Sequence, residues 1–520
     1  MDRLRDFIGF IPQHDIVLPD LTVRENILYS SRVLLGGCKP DPEIKEYVNF
    51  LISSLKLDKI RDELVGGLLK QGGRGISGGE YKRVSIAIAL AAAPRALILD
   101  EPTSGLDATA AHSLMKLLHS LSKRGIMVIC VIHQPRVEIF KLLDDLLVVN
   151  YGSQVYLGKA AEVPIFFEGL GYKFPASSNP ADVILDILMA HTDAISTGAA
   201  LVSAREDDRP TGGDIDAASG EECLTKLLQA IKQRRASWLR QLWLAFLRSI
   251  LQQSRQTTSL VLEIASSAVI GLMIGLSAFE SRGHLFQGLY HNPFDLLSSA
   301  VEYRLLSEQA LLCCLAIACA AGPPGVRFFG EEKQTFHREW QSGHSRGAYF
   351  LGKNLATCFR MLMASVAFTA LYLLLAAPMI LFRVQLGISR SIGSDFTTSA
   401  TGIYGLGFLV SAVTRREDGP LLCMLLCLII SALSGCAPRL STVKKWHLAW
   451  FWYAWPATWF SEAFYHENTA PLAYLYEVQA AATYTGYTPG RTGMDIGFLV
   501  LIGTVYRALS YVLFVFWGWK

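Results

Sequence analysis

Apolar residues are distributed along this chain in two ways. From about residue 258 they gather in runs at roughly 259–279, 305–323, 355–382, 397–414, 420–437 and 496–517. Each run is near the length that a helix needs to cross about 30 Å of hydrocarbon, so six spanning helices are expected. Before about residue 190 the apolar positions form short runs instead, at 7–12, 96–99, 126–132 and 146–150, with helix-forming stretches among them. That pattern predicts an α/β domain with a parallel sheet, followed by a hairpin over 146–157. Ile44, Val48, Leu51, Ile52 and Leu55 recur at helical spacing and mark core, not a site.

Between the two regions, 191–223 is rich in Gly, Ala, Ser and Asp, with little apolar periodicity. It reads as a flexible linker. Over 224–258, Lys226, Lys232, Arg234, Arg235, Arg240 and Arg248 alternate with Trp238, Leu242, Trp243, Phe246 and Leu247. A basic amphipathic helix of this kind is expected at the inner membrane surface. The expected order is an α/β domain at 1–190, a linker at 191–223, a connecting helix at 224–258 and a membrane domain at 259–520.

Composition and charge sharpen this picture. Of 520 residues, 51% are hydrophobic and only 18% are charged, against about a quarter charged in ordinary soluble domains. The formal net charge is +3, which gives no indication of a nucleic-acid partner. Arg327, Lys333, Arg338, Arg346 and Lys353 lie between the second and third spans, and Arg415 and Arg416 between the fourth and fifth. The first outer loop carries chiefly Arg282 and Arg304. The excess of Lys and Arg places both termini in the cytosol; no signal peptide precedes the first domain, which is also expected there.

Ten cysteines show no zinc-type spacing. Cys313, Cys314, Cys319, Cys423 and Cys427 fall in apolar spans and read as buried thiols, while Cys436 lies near a predicted outer loop, where it is a candidate for cross-linking to a partner chain. Glu263 and Arg360 are costly in lipid and are expected to face the interior, as structural partners or as pathway residues. The aromatic cluster over 444–465 (Trp446, Trp450, Trp452, Trp455, Trp459, Phe460) is broken by Pro456 and suits a re-entrant or interfacial element.

Candidate chemistry is concentrated at 74–107. Ser77-Gly78-Gly79-Glu80 has the S-x-x-E spacing of a capping box and predicts a helix to about Ala93, stopped by Pro94. The helix N-terminus can meet an anion, and the two glycines let backbone approach a ligand. Asp100 and Glu101 end the apolar run 96–99, at the strand C-terminus where open α/β sheets place ligands. One carboxylate there can hold Mg²⁺ and the next can orient or deprotonate a water. A capped surface helix and a salt-bridged acid pair are the bland readings of the parts. The joint order points to a phosphoanhydride site.

Ile76-Ser77-Gly78-Gly79-Glu80 resembles the signature sequence of ATP-binding cassette ATPases. Leu97 to Glu101 resembles their Walker B strand with its catalytic glutamate, and Ser104-Gly105-Leu106-Asp107 their D-loop. Glu80, the run Glu101-Pro-Thr-Ser-Gly-Leu-Asp107 and the cassette-first layout are similar to the G subfamily of transporters. The resemblance implies a P-loop NTPase-like cassette followed by an all-α six-helix membrane domain. It also implies ATP and Mg²⁺ as ligands, a second half-transporter as partner, and a hydrophobic or lipid-like substrate. By the same resemblance Gln13 is the Q-loop glutamine, reaching Mg²⁺ and the attacking water, and His133 is the H-loop histidine contacting the γ-phosphate. Ser77, Gly78, Gly79, Glu80 and Asp107 would meet nucleotide, Asp100 and Gln13 the metal, and Glu101 the water. The stretch 330–346 resembles the short coupling helix that docks in a cassette groove.

The P-loop pattern G-x-x-x-x-G-K-[ST] is not found in the sequence. Gly347 to Lys353 has the spacing, but Asn354 replaces Ser or Thr; Gly152 to Lys159 has one residue too many. In this family each ATP lies between one chain's P-loop and Walker B and the other chain's signature. The sequence therefore reads as N-terminally incomplete, with a degenerate partner subunit as the alternative.

Overall fold

The computed structural model describes residues 7–13, 15–66, 76–150, 152–175, 178–190, 233–279, 286–298, 301–330, 332–376, 382–414 and 417–516. The expected linker 191–223, residues 224–232 of the connecting helix, and Arg282, Arg415 and Arg416 lie outside them. The chain forms two compact units: residues 1–244 with 337–345, and residues 245–336 with 346–520.

In the first unit, β1 (Ile8–Ile11), β2 (Ala96–Asp100) and β3 (Met127–Val131) are adjacent parallel strands in that order. Ile11 pairs with Leu99, and Asp100 with Val131. Helices α1 (Val23–Leu35), α2 (Asp41–Ser54) and α3 (Gly78–Leu90) connect β1 to β2, and α4 (Ala108–Ser122) connects β2 to β3, the βα alternation that makes a sheet parallel. Caps fix the helix starts. Thr22 and Glu25 close a capping box on α1, and Ser77 and Glu80 one on α3.

One face of the sheet is core. Ile11, Leu97 and Leu99 are buried with Val84 and Leu90 of α3, Leu114 and Leu118 of α4, and Leu51 and Ile52 of α2. On the other face the described residues leave Phe10 50% and Ile129 48% exposed. The expectation of a buried strand therefore holds on one side only. Alternation explains this: Phe10, Ile98 and Ile129 form one register row, whose side chains point away from α3 and α4.

Further along, α5 (Val137–Phe140) precedes the antiparallel hairpin β4 (Asp145–Asn150) and β5 (Ser153–Lys159), whose register shifts at Val148/Val149. Helices α6 (Val163–Gly169) and α7 (Pro180–Ala190) pack a small core on it through Phe167, Val163 and Ile184.

The second unit is helical. Helix α8 (Trp238–Arg255) leads into α9 (Thr257–Phe279), followed by α10 (Arg304–Gly330), α11 (Lys333–Gln341), α12 (Arg346–Ala376), α13 (Phe382–Val413) and α14 (Gly419–Ala432). Then come α15 (Leu440–Lys445), α16 (Ala449–Tyr453), α17 (Pro456–Thr469), α18 (Val478–Thr485) and α19 (Thr492–Phe516). The basic amphipathic stretch is not one continuous helix, since Arg235–Ser237 interrupt it before α8.

Among the described residues five helices are long and apolar enough to cross a membrane: Thr257–Phe279, Arg304–Arg327, Arg346–Ala376, Gly393–Val413 and Thr492–Phe516. The expected span at 420–437 is instead a 14-residue helix, α14, about 21 Å long at 1.5 Å per residue. It stops because the chain turns through Gly435 (φ +84°), and Pro438 follows. The aromatic cluster is broken up: Trp446 caps the end of α15, Trp450 and Trp452 lie in α16, Trp455 precedes α17, and Trp459 and Phe460 lie in it.

α9 packs along α12, α10 against α13 and α14, and α13 against α19. Small residues set the spacing: a Cβ on Gly407 would lie 2.8 Å from the Gly322 carbonyl oxygen, and one on Gly405 2.9 Å from that of Gly503. Glu263 and Arg360 are both buried and form an ion pair, with the Tyr404 hydroxyl donating to Glu263 and Arg360 donating to Ser259 Oγ at 2.8 Å. Glu263 and Tyr404 border a cavity of about 30 Å³ lined also by Ser267, Phe368 and Phe396. Cys313, Cys314, Cys423 and Cys427 are buried as expected and Cys319 is half-buried, but Cys436 is also buried, 8% exposed, which removes it as a surface cross-linking thiol. The P-loop-like run 347–353 lies inside α12, where Lys353 Nζ sits 2.6 Å from Glu332 Oε2. It is helix, not a phosphate loop.

Candidate nucleotide site

The ends of three neighbouring strands bring the candidate catalytic residues together. Gln13 follows β1 by two residues, Asp100 closes β2 with Glu101 next, and His133 follows β3 by two. Parallel strands in register must place their C-terminal ends on one edge of the sheet, and that edge is where open α/β sheets bind ligands. Gln13 Nε2 donates to Glu101 Oε2 at 2.8 Å. Glu101 N donates to the Val131 carbonyl at 3.0 Å, tying β2's end to β3.

Two of these strand ends are strained. Glu101 has φ +45° and Gln134 has φ +44°, left-handed values for residues with a Cβ. Such conformations cost about 1–3 kcal/mol each and collect at functional sites. Nothing in the sequence pattern announced them.

Asp100 fits a metal. Its carboxylate has no hydrogen bond or ion pair among the described residues, and the Gln13 contact uses only the amide nitrogen, leaving Oε1 as an acceptor. Mg²⁺ typically takes one or two protein oxygens and fills its remaining positions with water and phosphate. No cluster of three or more His, Cys, Asp or Glu that could hold a metal occurs among the described residues, which is consistent with that sparse ligand set.

The helix-start residues form their own group. Ser77 Oγ and Ser77 N both donate to Glu80 Oε2, at 2.9 and 2.8 Å, and Glu80 N donates to Ser77 Oγ at 3.3 Å. A Cβ on Gly79 would lie 3.3 Å from Ala110 Cβ, so this glycine allows α3 to approach α4. Asp107 caps α4, its Oδ1 accepting from Ala110 N at 2.7 Å. None of Ser77, Gly78, Gly79, Glu80 or Asp107 is bonded to Asp100, Glu101 or His133 among the described residues.

Two buried cations join the two groups. Lys82, one turn into α3 and 3% exposed, places Nζ 3.1 Å from Asp15 Oδ2 and donates to the Gln13 carbonyl at 3.0 Å. Arg338, in the part of α11 that belongs to the first unit, donates to the carbonyl oxygens of Ile16 and, at 3.1 Å, Ser85. Burial lowers the Arg338 guanidinium from its ordinary value, and Asp15 and Glu339 draw it back up. The same segment is fixed by Ser345 N donating to Gln241 Oε1 at 2.9 Å and by His344 stacking on Tyr29, 5.8 Å between rings. No local pattern marks Lys82, whereas Arg338 falls in the stretch 330–346 that resembles a coupling helix. Cys130, on β3, is not a competing nucleophile, because burial pushes its thiol up to about 12.

Family models agree with both halves of the chain. An ABC transporter model matches residues 1–104, and ABC-2 type transporter models match 240–466 and 133–202. The chain is 51% identical over 480 residues to the ABC-type transporter claG of Penicillium crustosum, covering 92% of this chain and 62% of that protein. It is 30% identical over 473 residues to the broad substrate specificity ATP-binding cassette transporter ABCG2 of Sus scrofa, covering 86% and 69%. With ABC transporter G family member 13 of Arabidopsis thaliana the identity is 28% over 449 residues, covering 79% and 61%. The chain thus spans about three fifths to two thirds of the length of these relatives. Signature, Walker B end, membrane helices and relatives agree: the chain belongs to the G subfamily of ATP-binding cassette transporters.

Proposed function

We propose that this chain is one half of an ATP-driven transporter, acting with a second half-transporter, identical or different, to move a hydrophobic or lipid-like molecule across a membrane. The single observation that carries this reading is the Gln13–Glu101 contact at the shared edge of three strands, beside Asp100 and His133. In this reading Glu101 orients the attacking water and accepts its proton, with Gln13 holding the carboxylate in place. His133 contacts the γ-phosphate. Asp100 and the Gln13 amide oxygen would hold Mg²⁺, which would offset phosphate charge. Ser77, Gly78, Gly79, Glu80 and Asp107 meet a nucleotide carried by the partner, through the backbone amides and dipole of α3. The cassette and both termini face the cytosol, as the loop charges suggest.

The test is ATP-dependent accumulation of rhodamine 123 and of a fluorescent phospholipid in proteoliposomes of the protein purified from its native membrane. Accumulation lost in Glu101→Gln supports the reading. Hydrolysis that moves neither probe, nor a wider panel of apolar compounds, would contradict it. A non-catalytic partner subunit predicts the opposite pattern, with Glu101→Gln silent and substitution of Ser77 abolishing activity.

A further inference from the structure

Two aspartates in the second unit are buried without a partner. Asp395, on α13 near the start of the 393–413 span, is 0% exposed, and Asp495, in the first turn of α19, is 1% exposed. None of their four carboxylate oxygens has a hydrogen-bond partner among the described residues. Both helices pack on each other and on α17. Asp395 lies within the field of Asp495 and of Glu467 on α17, and Asp495 within that of Glu462 on α17 and of Arg491. Glu462 is already satisfied, accepting from the Tyr453 hydroxyl at 2.9 Å and from Thr488 N at 3.0 Å. From α10, α12 and α14, which also pack on α13, no charged group among the described residues acts on either aspartate.

An ionised carboxylate in such surroundings loses its water, with only the neighbouring Ser394 side chain among the described residues to oppose that cost at Asp395, and a second acid nearby adds repulsion. Something must neutralise the pair. Exposure of 0–1% closes it to any organic cation. At 0–1% exposure the pair has no room for the waters that a divalent ion keeps when only two carboxylates hold it, which argues against such an ion. We propose that Asp395 and Asp495 form a proton-binding site at the end of the bundle where α19 begins, each carboxyl carrying one proton drawn from bulk water. The site makes no use of the nucleotide residues and does not rest on the transport reading.

Infrared spectroscopy of the purified full chain in detergent at neutral pH tests it. A protonated carboxyl absorbs as an isolated C=O, well separated from the two carboxylate bands. Part of that C=O band should vanish in Asp395→Asn, part in Asp495→Asn and both parts in the double variant, with melting temperatures unchanged, because Asn matches the neutral acid in shape. The acid-retaining D395E and D495E should shift the components instead of removing them, which keeps the test valid if an Asn variant fails to fold. C=O absorption unaltered in all four variants would overturn the proposal. So would carboxylate bands at these positions that respond to Na⁺ or Ca²⁺, which would identify a metal cation in place of the proton.

Discussion

The ammonium of Lys82 lies 3.1 Å from the carboxylate of Asp15, and both side chains are largely buried. Through this pair the helix carrying the signature sequence holds the loop carrying Gln13. Breaking a buried ion pair from one side leaves an uncompensated charge, typically at a cost of about 3–5 kcal/mol. Lys82→Met should therefore destabilise the cassette by about 3 kcal/mol in denaturant titration, the lower end because Asp15 retains some exposure. Adding Asp15→Asn should restore most of the loss. A double-mutant cycle with no coupling between the two positions would show that the contact does not hold the loop.

Gln13 meets Glu101 through a single charge-assisted hydrogen bond of 2.8 Å. Such bonds contribute about 1.5–3 kcal/mol, so Gln13→Ala should slow ATP turnover by about tenfold or more. The loss should appear in kcat and not in the KM for ATP. A change confined to KM would mean that Gln13 binds nucleotide without positioning the glutamate.

Arg338 spans two backbone carbonyls, those of Ile16 and Ser85, on either side of the Lys82 node. Lysine keeps the charge but lacks the fork that reaches both. Hydrogen exchange in residues 15–18 and in α3 should rise in Arg338→Ala and, to a smaller extent, in Arg338→Lys. Exchange equal to wild type in Arg338→Ala would remove Arg338 from this connection.

Glu263 and Arg360 provide the corresponding test in the membrane domain. Glu263→Ala leaves a buried guanidinium with Ser259 as its one remaining partner among the described residues and should destabilise the bundle by about 3–5 kcal/mol. The paired replacement Glu263→Leu with Arg360→Met should be close to neutral for folding, as expected where a buried ion pair is exchanged for packed apolar side chains. If the paired variant folds normally but transport is lost, the two residues serve the pathway. If transport also survives, their role is structural.

Local sequence features carried much of this architecture. Ser77 and Glu80 announce a helix start because a capping box is local, and the run 96–99 ending in two acids announces a strand end for the same reason. Long apolar runs mark membrane helices by composition alone. What stayed hidden depends on contacts distant in sequence. Lys82 reads as an ordinary helix residue until Asp15 is placed beside it, and the resemblance of 330–346 to a coupling helix does not say that Arg338 meets the carbonyls of Ile16 and Ser85. The positive φ of Glu101 leaves no mark in the sequence. Helix α14 is shorter than its apolar run because hydropathy measures apolar length, whereas Gly435 and Pro438 decide where the helix can end.

Phosphate release by the native protein reconstituted in lipid, compared with its Glu101→Gln variant, tests the central claim most directly. Removing a general base typically lowers rate by about 10²–10⁴-fold. The strand-end arrangement predicts a fall of at least about 100-fold in Glu101→Gln with ATP still bound. Unchanged phosphate release in that variant would contradict the assignment of Glu101, and with it the reading of Gln13, Asp100, Glu101 and His133 as a hydrolytic centre.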